Sequence, residues 1–421
     1  MIKKSSKSIE VALKGELLSR KNNKLVRMLR LIWEKPERTR NELGKALNIS
    51  KVAVRNDVER LLRNGLVRED VPLKAAGGRR PTPLSLSPGL FYSFGIYIRR
   101  GWAMLSMLDA CSNTIEKLTF HENFATAAEC LDFMCVQIAK LRKKHSVSDE
   151  KFIGVGISLP GILDQKNGIV ISSPTFRKDR DFDLKAFLKN KLGESVVLMN
   201  DADLMTVNEH ARGKAAEMSD FLYFTCGYGL GIFLNGQLYQ GHQGGAGEVG
   251  YMQLDRTGEK GPDGRNGTLS GIKPFSMLAA TVDGIVKSGG ATKVRDYLTK
   301  KEPDVTLPMV VRAAKAGDGL SLQIISEYFE LIGDAVLNLA YIFNPEAIFL
   351  DPWTAECPQV TLDIIRRKMG YYGVHNWRLS TEIIPAGYGM ADLSEGAALL
   401  PVMKYFDKLQ SEQYQVKPGH N

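Results

Sequence analysis

The spacing of apolar residues changes at about residue 90, and this change constrains the fold more than any other feature. Before it, apolar residues recur every three or four positions in short blocks, which is typical of amphipathic helices. After it, apolar runs at 152–158 and 195–199 indicate buried strands, and they alternate with helical segments such as 126–144. The sequence therefore predicts a small helical region followed by a larger α/β body.

The charge of the chain divides close to the same place. Residues 1–80 hold 21 Lys and Arg against 9 Asp and Glu, whereas the whole chain holds 56 against 47. The first fifth is therefore strongly basic and the remainder is slightly acidic. This distribution favours a polyanion-binding region on a folded body, and the alternative is a basic tail that only aids solubility.

Local signals in the basic region predict three helices. A helix over 24–33 precedes Thr39, which with Glu42 has the spacing of a capping box. A tight break follows at Asn48, and Ser50 is a suitable N-cap for a third helix that runs to about residue 64. Helix, short helix, turn and longer helix make up the helix-turn-helix arrangement, whose second helix enters the major groove of DNA.

The third helix carries candidate contacts to DNA bases. Ser50, Lys51, Arg55 and Asn56 lie on its first turns, and Arg pairs well with guanine and Asn with adenine. Two strands with a glycine-rich loop between them follow, as in a winged helix, and this loop presents Arg79 and Arg80 to a minor groove or to phosphates. The alternative is a three-helix domain whose polar face is merely solvated.

Several classes of protein are excluded at this stage. No run of about 18 apolar residues indicates a membrane-spanning helix, and the first residues lack the pattern of a secretory signal. The five cysteines are scattered and predict reduced thiols rather than a disulfide framework. We therefore expect a cytoplasmic protein without a membrane partner.

The body resembles the ROK family of sugar-responsive repressors and sugar kinases, over about residues 90–405. An ordered set of short strings carries the resemblance: SLPG (158–161), NDA (200–202), CGYGLG (226–231), GGAGEVG (244–250), FNPE (343–346) and SEGAA (394–398). The resemblance implies a multi-domain α+β chain, with a winged helix before a two-lobed actin/hexokinase-like (ribonuclease H-like) α/β body. The implied divisions are 1–87, 88–200 and 201–421, with a C-terminal helix that returns to the first lobe.

The residues that match the family's phosphoryl-transfer machinery are largely replaced. Asp201 matches the catalytic base, but the aspartate of the first phosphate loop is Tyr97 and its glycines are Arg99 and Arg100. The second loop carries Tyr228 in place of a small hydroxyl residue, and DPW (351–353) replaces two glycines near the adenosine end. We therefore predict a body without kinase activity and with no cofactor, in which Asp201 is a remnant base. The alternative is a carbohydrate kinase that uses ATP with Asp201 as its base.

The family's structural zinc site is also absent from the sequence. The positions of its histidine and three cysteines are Tyr251, Gly261, Asp263 and Thr268, which supply neither a thiolate nor an imidazole. We therefore predict no metal.

The resemblance implies an effector pocket between the lobes for a sugar or a sugar phosphate. The matching positions are Gly161, Thr175, Asn200, Asp201, Glu248, Tyr251 and Ser270. The expected function is a DNA-binding transcriptional regulator, most simply a repressor, that acts as a homodimer or tetramer on a double-stranded operator.

Overall fold

The computed structural model describes residues 23–71, 82–193, 195–273, 275, 277–299, 304–371 and 380–411. By its internal contacts the chain forms two compact units. The first unit combines residues 1–200 with 392–421, and the second comprises residues 201–391.

The first unit begins with the predicted helices: α1 (Asn23–Glu34), α2 (Arg40–Leu47) and α3 (Lys51–Arg63). Thr39 and Glu42 form the expected capping box, and Asn48 adopts the left-handed conformation at φ 52° that ends α2. The Ser50 Oγ accepts a hydrogen bond from the Ala53 backbone N at 3.2 Å and caps α3. The helix-turn-helix prediction is therefore confirmed at the level of backbone geometry.

Three short strands complete this region, which we call the head (residues 23–86): β1 (Arg38–Thr39), β2 (Val67–Glu69) and β3 (Pro83–Leu86). They pair antiparallel in the order β1-β3-β2. Strand β1 has only two residues and the sequence analysis did not predict it. The sheet packs beside the helices around buried residues such as Leu29, Val58 and Leu84.

The rest of the first unit is built on a five-stranded sheet: β4 (Tyr92–Arg99), β5 (Trp102–Asp109), β6 (Thr114–Phe120), β7 (Phe152–Leu159) and β11 (Val196–Asn200). The order is β11-β7-β4-β5-β6, with β4, β7 and β11 parallel and β4–β5–β6 antiparallel. Helix α4 (Ala127–Lys144) packs on this sheet through an apolar face that includes Leu131 and Met134.

A small antiparallel sheet and a helix connect β7 to β11: β8 (Ile162–Asp164), β9 (Ile169–Ser172), β10 (Phe182–Asp183) and α5 (Leu184–Leu192).

The last described helix, α12 (Leu393–Ser411), lies directly against the central strands of the first unit's sheet. Two glycines permit this approach. A Cβ atom on Gly95 would lie 1.9 Å from the Ser394 carbonyl oxygen, and a Cβ atom on Gly156 would lie 1.8 Å from that of Ala397. No side chain fits there, so both positions require glycine.

The far end of α12 supports the head. The Trp33 ring lies 5.7 Å from the Phe406 ring, and its indole N donates to the Ser112 hydroxyl at 3.1 Å. Arg30 forms an ion pair with Asp407 at 2.6 Å. Apolar residues of the head, of α12 and of strands β5 and β7 form one continuous core.

The second unit contains a sheet with the same topology: β12 (Phe221–Phe224), β13 (Leu230–Leu234), β14 (Gln237–Leu238), β15 (Ala347–Leu350) and β16 (Glu382–Pro385). Its main helices are α6 (Asp201–Arg212), α7 (Leu269–Ile272), α8 (Met277–Lys287), α9 (Leu307–Lys315), α10 (Gly319–Phe343) and α11 (Leu362–Tyr371). Helix α10 begins at Gly319 because the Asp318 side chain caps it by accepting a hydrogen bond from the Ser321 backbone N.

The two sheets support the predicted fold class. Numbered along the chain within each sheet, both have the strand order 3-2-1-4-5, with a three-stranded antiparallel part and two further parallel strands. This is the ribonuclease H-like arrangement, and the α/β body predicted from the sequence is confirmed. Over the residues described, no helix is both long and apolar enough to cross a bilayer. All five cysteines are free thiols, and Cys130, Cys226 and Cys357 are buried.

Candidate functional site

Helix α3 presents a continuous exposed stripe along one side. The opposite side carries buried Val54, Val58 and Leu61 and faces the core of the head. The stripe consists of Lys51, Val52, Arg55, Asn56, Glu59 and Arg63. Such a stripe has the shape and chemistry needed to enter a major groove.

The predicted base-contacting residues are free to make those contacts. Among the described residues, no hydrogen bond or ion pair engages the side chains of Lys51, Arg55 or Asn56. Ser50 is exposed beside them, and although its Oγ accepts from the backbone as the cap, its O–H remains as a donor for DNA. Arg79 and Arg80 lie outside the described residues.

In the first unit, three predicted effector-pocket residues gather around the loop that follows β7. Asn200, the last residue of β11, donates through Nδ2 to the Gly161 carbonyl at 2.9 Å. Gly161 has φ +130°, and a Cβ atom there would lie 2.3 Å from the Ser172 carbonyl oxygen. The Thr175 hydroxyl is buried and has no hydrogen-bond partner within the described residues.

In the second unit, a group of carboxylates surrounds the start of α6. Asp201 and Asp203 lie in its first turn, and buried Asp203 accepts from the Gln240 amide at 3.1 Å. Burial, followed by the charges of Asp201 and Asp203, raises the pKa of Glu248. Hydroxyl-rich ligands can satisfy such carboxylates as hydrogen-bond donors.

The raised pKa of Glu248 predicts a pH-dependent cost to stability. A carboxyl whose pKa is higher in the folded state contributes stability below its unfolded-state pKa, and loses it as the pH rises through the folded-state pKa. Glu248→Gln is therefore expected to have a higher Tm than the parent at about pH 7.5, with the gain shrinking towards about pH 4. Thermal denaturation at several pH values measures this difference.

Glu259→Gln is the matched control, because Glu259 is an exposed carboxylate of the same unit. We expect its Tm to follow the parent's at every pH. A lower Tm of Glu248→Gln at neutral pH would show that the ionised carboxylate stabilises the fold instead.

Tyr251 and Ser270 are held in place by hydrogen bonds in and around the loop at 261–270, which corresponds to the family's zinc-binding loop. The Ser270 hydroxyl donates to the Gly250 carbonyl at 2.8 Å, and Arg265 donates to the Tyr251 carbonyl at 2.8 Å while pairing with Asp263 at 2.5 Å. The Tyr251 side chain is 39% exposed and open to a ligand. In the described part of the chain, no group of three or more His, Cys, Asp or Glu side chains is placed to hold a metal ion.

Aromatic rings occupy both phosphate-loop positions. In the first unit Tyr97 is fully buried, with its ring 5.4 Å from that of Trp102. In the second unit Tyr228 has φ +71°, donates its hydroxyl to the Lys273 carbonyl and packs its ring, tilted, 5.7 Å from that of Tyr328. A bulky residue rarely adopts this left-handed conformation, and the contacts of the ring hold it there.

The residues at the third replaced position, 351–353, also make contacts within the fold. Asp351 is buried and accepts a hydrogen bond from the Cys226 backbone N at 2.7 Å, and the Trp353 ring packs 5.7 Å from Phe329. Asp351 therefore ties the end of β15 to the second phosphate loop, and Trp353 packs on α10.

The comparison with protein families decides the assignment of the body. The family model described as the ROK family matches residues 103–402, which is well over half of the chain. The chain belongs to the ROK family. The resemblance found in the short strings is thereby confirmed.

Known proteins of two kinds, regulators and a kinase, are similar to this chain. The xylose repressor of Bacillus spizizenii is 26% identical, over 92% of this chain and 96% of its own length. A solved ROK transcriptional regulator, a homologue of the E. coli MLC protein, aligns with a TM-score of 0.72 and 19% identity over 92% of this chain and 97% of its own. A ROK glucokinase from Streptomyces griseus, solved with glucose and AMPPNP, aligns with a TM-score of 0.62 and 22% identity over 73% of this chain and 98% of its own.

Several residues of the candidate site were not found from the sequence. Asp203, Gln240 and Arg265 hold the carboxylate group and the loop, but none belongs to a recognisable string. Asp203 had the best signal, since it lies two residues after Asp201, which the family resemblance singles out.

Proposed function

We propose that this ROK protein is a DNA-binding transcriptional regulator, most simply a repressor, that responds to a sugar or sugar-derived effector and lacks kinase activity. The exposed stripe of α3 is the observation that carries the proposal. The extent of the similarities supports it, because those to the xylose repressor and to the regulator cover 92% of the chain, whereas the glucokinase covers 73%.

The head would bind double-stranded DNA through two kinds of contact. Lys51, Arg55 and Asn56 would reach base edges in the major groove, and Ser50 would add a donor at the start of the helix. Arg79 and Arg80 would bind phosphates or the minor groove beside it. Helix-turn-helix heads usually act in pairs on two-fold half-sites, so the working form would be a homodimer or tetramer.

The body would bind the effector through groups that suit a polyol. Gly161, Thr175 and Asn200 would supply one set of polar contacts, and Asp201, Glu248, Tyr251 and Ser270 the other. The effector regulates only if it binds the DNA-competent and DNA-free states with different affinities. Arg99 and Arg100 would favour a sugar phosphate over a neutral sugar.

A selection experiment tests the proposal directly. Duplexes that bind the full-length protein are enriched from a randomised library at fixed salt, and a panel of sugars and sugar phosphates is then tested for release of the bound duplex. The proposal expects one enriched sequence and at least one releasing sugar. Binding that depends on salt but not on sequence would overturn the regulator assignment.

The kinase alternative makes a different prediction. Because Tyr97 and Tyr228 fill the phosphate-loop positions, we expect no sugar-dependent ATP turnover above background across the same panel, and no change in Asp201→Asn. A coupled ADP assay measures both, with a ROK glucokinase as the active control. Turnover with any sugar that disappears in Asp201→Asn would establish the enzyme instead.

A further inference from the structure

One residue of the α3 stripe differs in chemistry from the rest. Val52 is 69% exposed, whereas the other exposed residues of the helix are charged or polar. A β-branched residue is also a weaker helix former than alanine at an exposed position. Neither the core of the head nor the stability of α3 explains an apolar side chain at this position.

The neighbours of Val52 indicate which part of the DNA it would contact. It follows Lys51, and Asn56 lies four residues later, so the Val52 and Asn56 side chains are adjacent on the helix, about 5–6 Å apart. In the major groove, Asn is suited to adenine and an apolar side chain to the C5-methyl group of thymine. Base pairs are stacked about 3.4 Å apart, so the two side chains span one to two pairs.

We propose that Val52 reads a thymine methyl group, next to or within the A·T pair that Asn56 reads. This inference rests on the proposed function, because it assumes that α3 enters the major groove. It adds a specificity determinant that makes no hydrogen bond. The ligand is the C5-methyl group itself, which thymine has and uracil lacks.

Deoxyuridine substitution isolates that methyl group. In the enriched duplex, each thymine of a half-site is replaced in turn by deoxyuridine, which retains every base-pairing atom. At the thymine that Val52 contacts, loss of the methyl group is expected to weaken binding about fourfold per half-site. At the other thymines we expect no change in affinity. In Val52→Ala that same substitution is expected to have no further effect.

Val136→Ala is the matched control, since Val136 is a 52% exposed valine on α4 of the body. We expect it to keep the parent's affinity and its full sensitivity to deoxyuridine. Equal thermal denaturation of the two variants and the parent shows that both fold.

The outcomes separate this inference from the proposed function. The inference is supported if deoxyuridine at one thymine weakens binding by the parent but not by Val52→Ala. Selective binding with no deoxyuridine effect, or with an effect that persists in Val52→Ala, overturns it and leaves the regulator intact. Failure to enrich any sequence overturns the regulator itself.

Discussion

Arg55→Ala is expected to weaken binding to the selected duplex by about 10- to 100-fold and to relax the preference at one base pair. A bidentate arginine contact to guanine contributes about 1–3 kcal/mol of discrimination against a wrong base. Arg55 is exposed on α3, and no described residue pairs with its guanidinium, so its donors are available to DNA. Titration of the parent and the variant at one salt concentration, against duplexes mutated one pair at a time, measures both effects.

Arg63→Ala provides the comparison on the same helix. Arg63 lies at the far end of the stripe, and its Nε donates to the Glu59 carbonyl at 3.3 Å. We expect this variant to lose little affinity and no base preference. If Arg55→Ala retained the parent's affinity and preference, the reading surface would have to lie elsewhere on the head.

Gly156→Ala is expected to lower the free energy of unfolding by about 3 kcal/mol, the upper end of the range for overpacking a core. The added Cβ would meet the Ala397 carbonyl oxygen at 1.8 Å, and this oxygen belongs to helix backbone that cannot rotate away. The helix must therefore lift from the sheet, and its contact with the head through Phe406 is expected to loosen as well. Urea denaturation followed by circular dichroism measures the loss.

Gly89→Ala is the matched control in the same unit. The nearest atom to a Cβ there is the Lys151 Nζ at 3.9 Å, at the end of a flexible side chain. We expect almost unchanged stability. If Gly156→Ala were as stable as Gly89→Ala, the close packing of α12 on the sheet would be wrong.

The head was predictable because its signals are local. Thr39, Glu42, Asn48 and Ser50 each act within four residues of their own positions, so a short stretch of sequence contains both partners of every contact. The ribonuclease H-like body was predictable for another reason: its resemblance to a known family carried the order of the strands, which local patterns do not specify.

The features that the sequence did not predict depend on contacts between distant parts of the chain. Buried Glu209 accepts hydrogen bonds from the backbone N of Lys214, Gly387 and Tyr388 at 2.8–3.0 Å, and nothing in its neighbourhood of the sequence distinguishes it from a surface glutamate. The carbonyl that receives the Tyr228 hydroxyl is 45 residues away. Such pairs become visible only when the fold brings them together.

The placement of α12 also determines when the first unit can be completed during protein synthesis. The sheet surface at Gly95 and Gly156 and the face of the head around Trp33 are made early, whereas the helix that covers both follows residues 201–391. At about 5–20 residues per second, a ribosome needs roughly 10–40 s to make that intervening stretch. Throughout this interval the apolar surface lacks its cover, and exposed surface of this kind is prone to aggregation, while the contiguous second unit is already complete. The head therefore gains its support from α12 only after residues 201–391 have been translated.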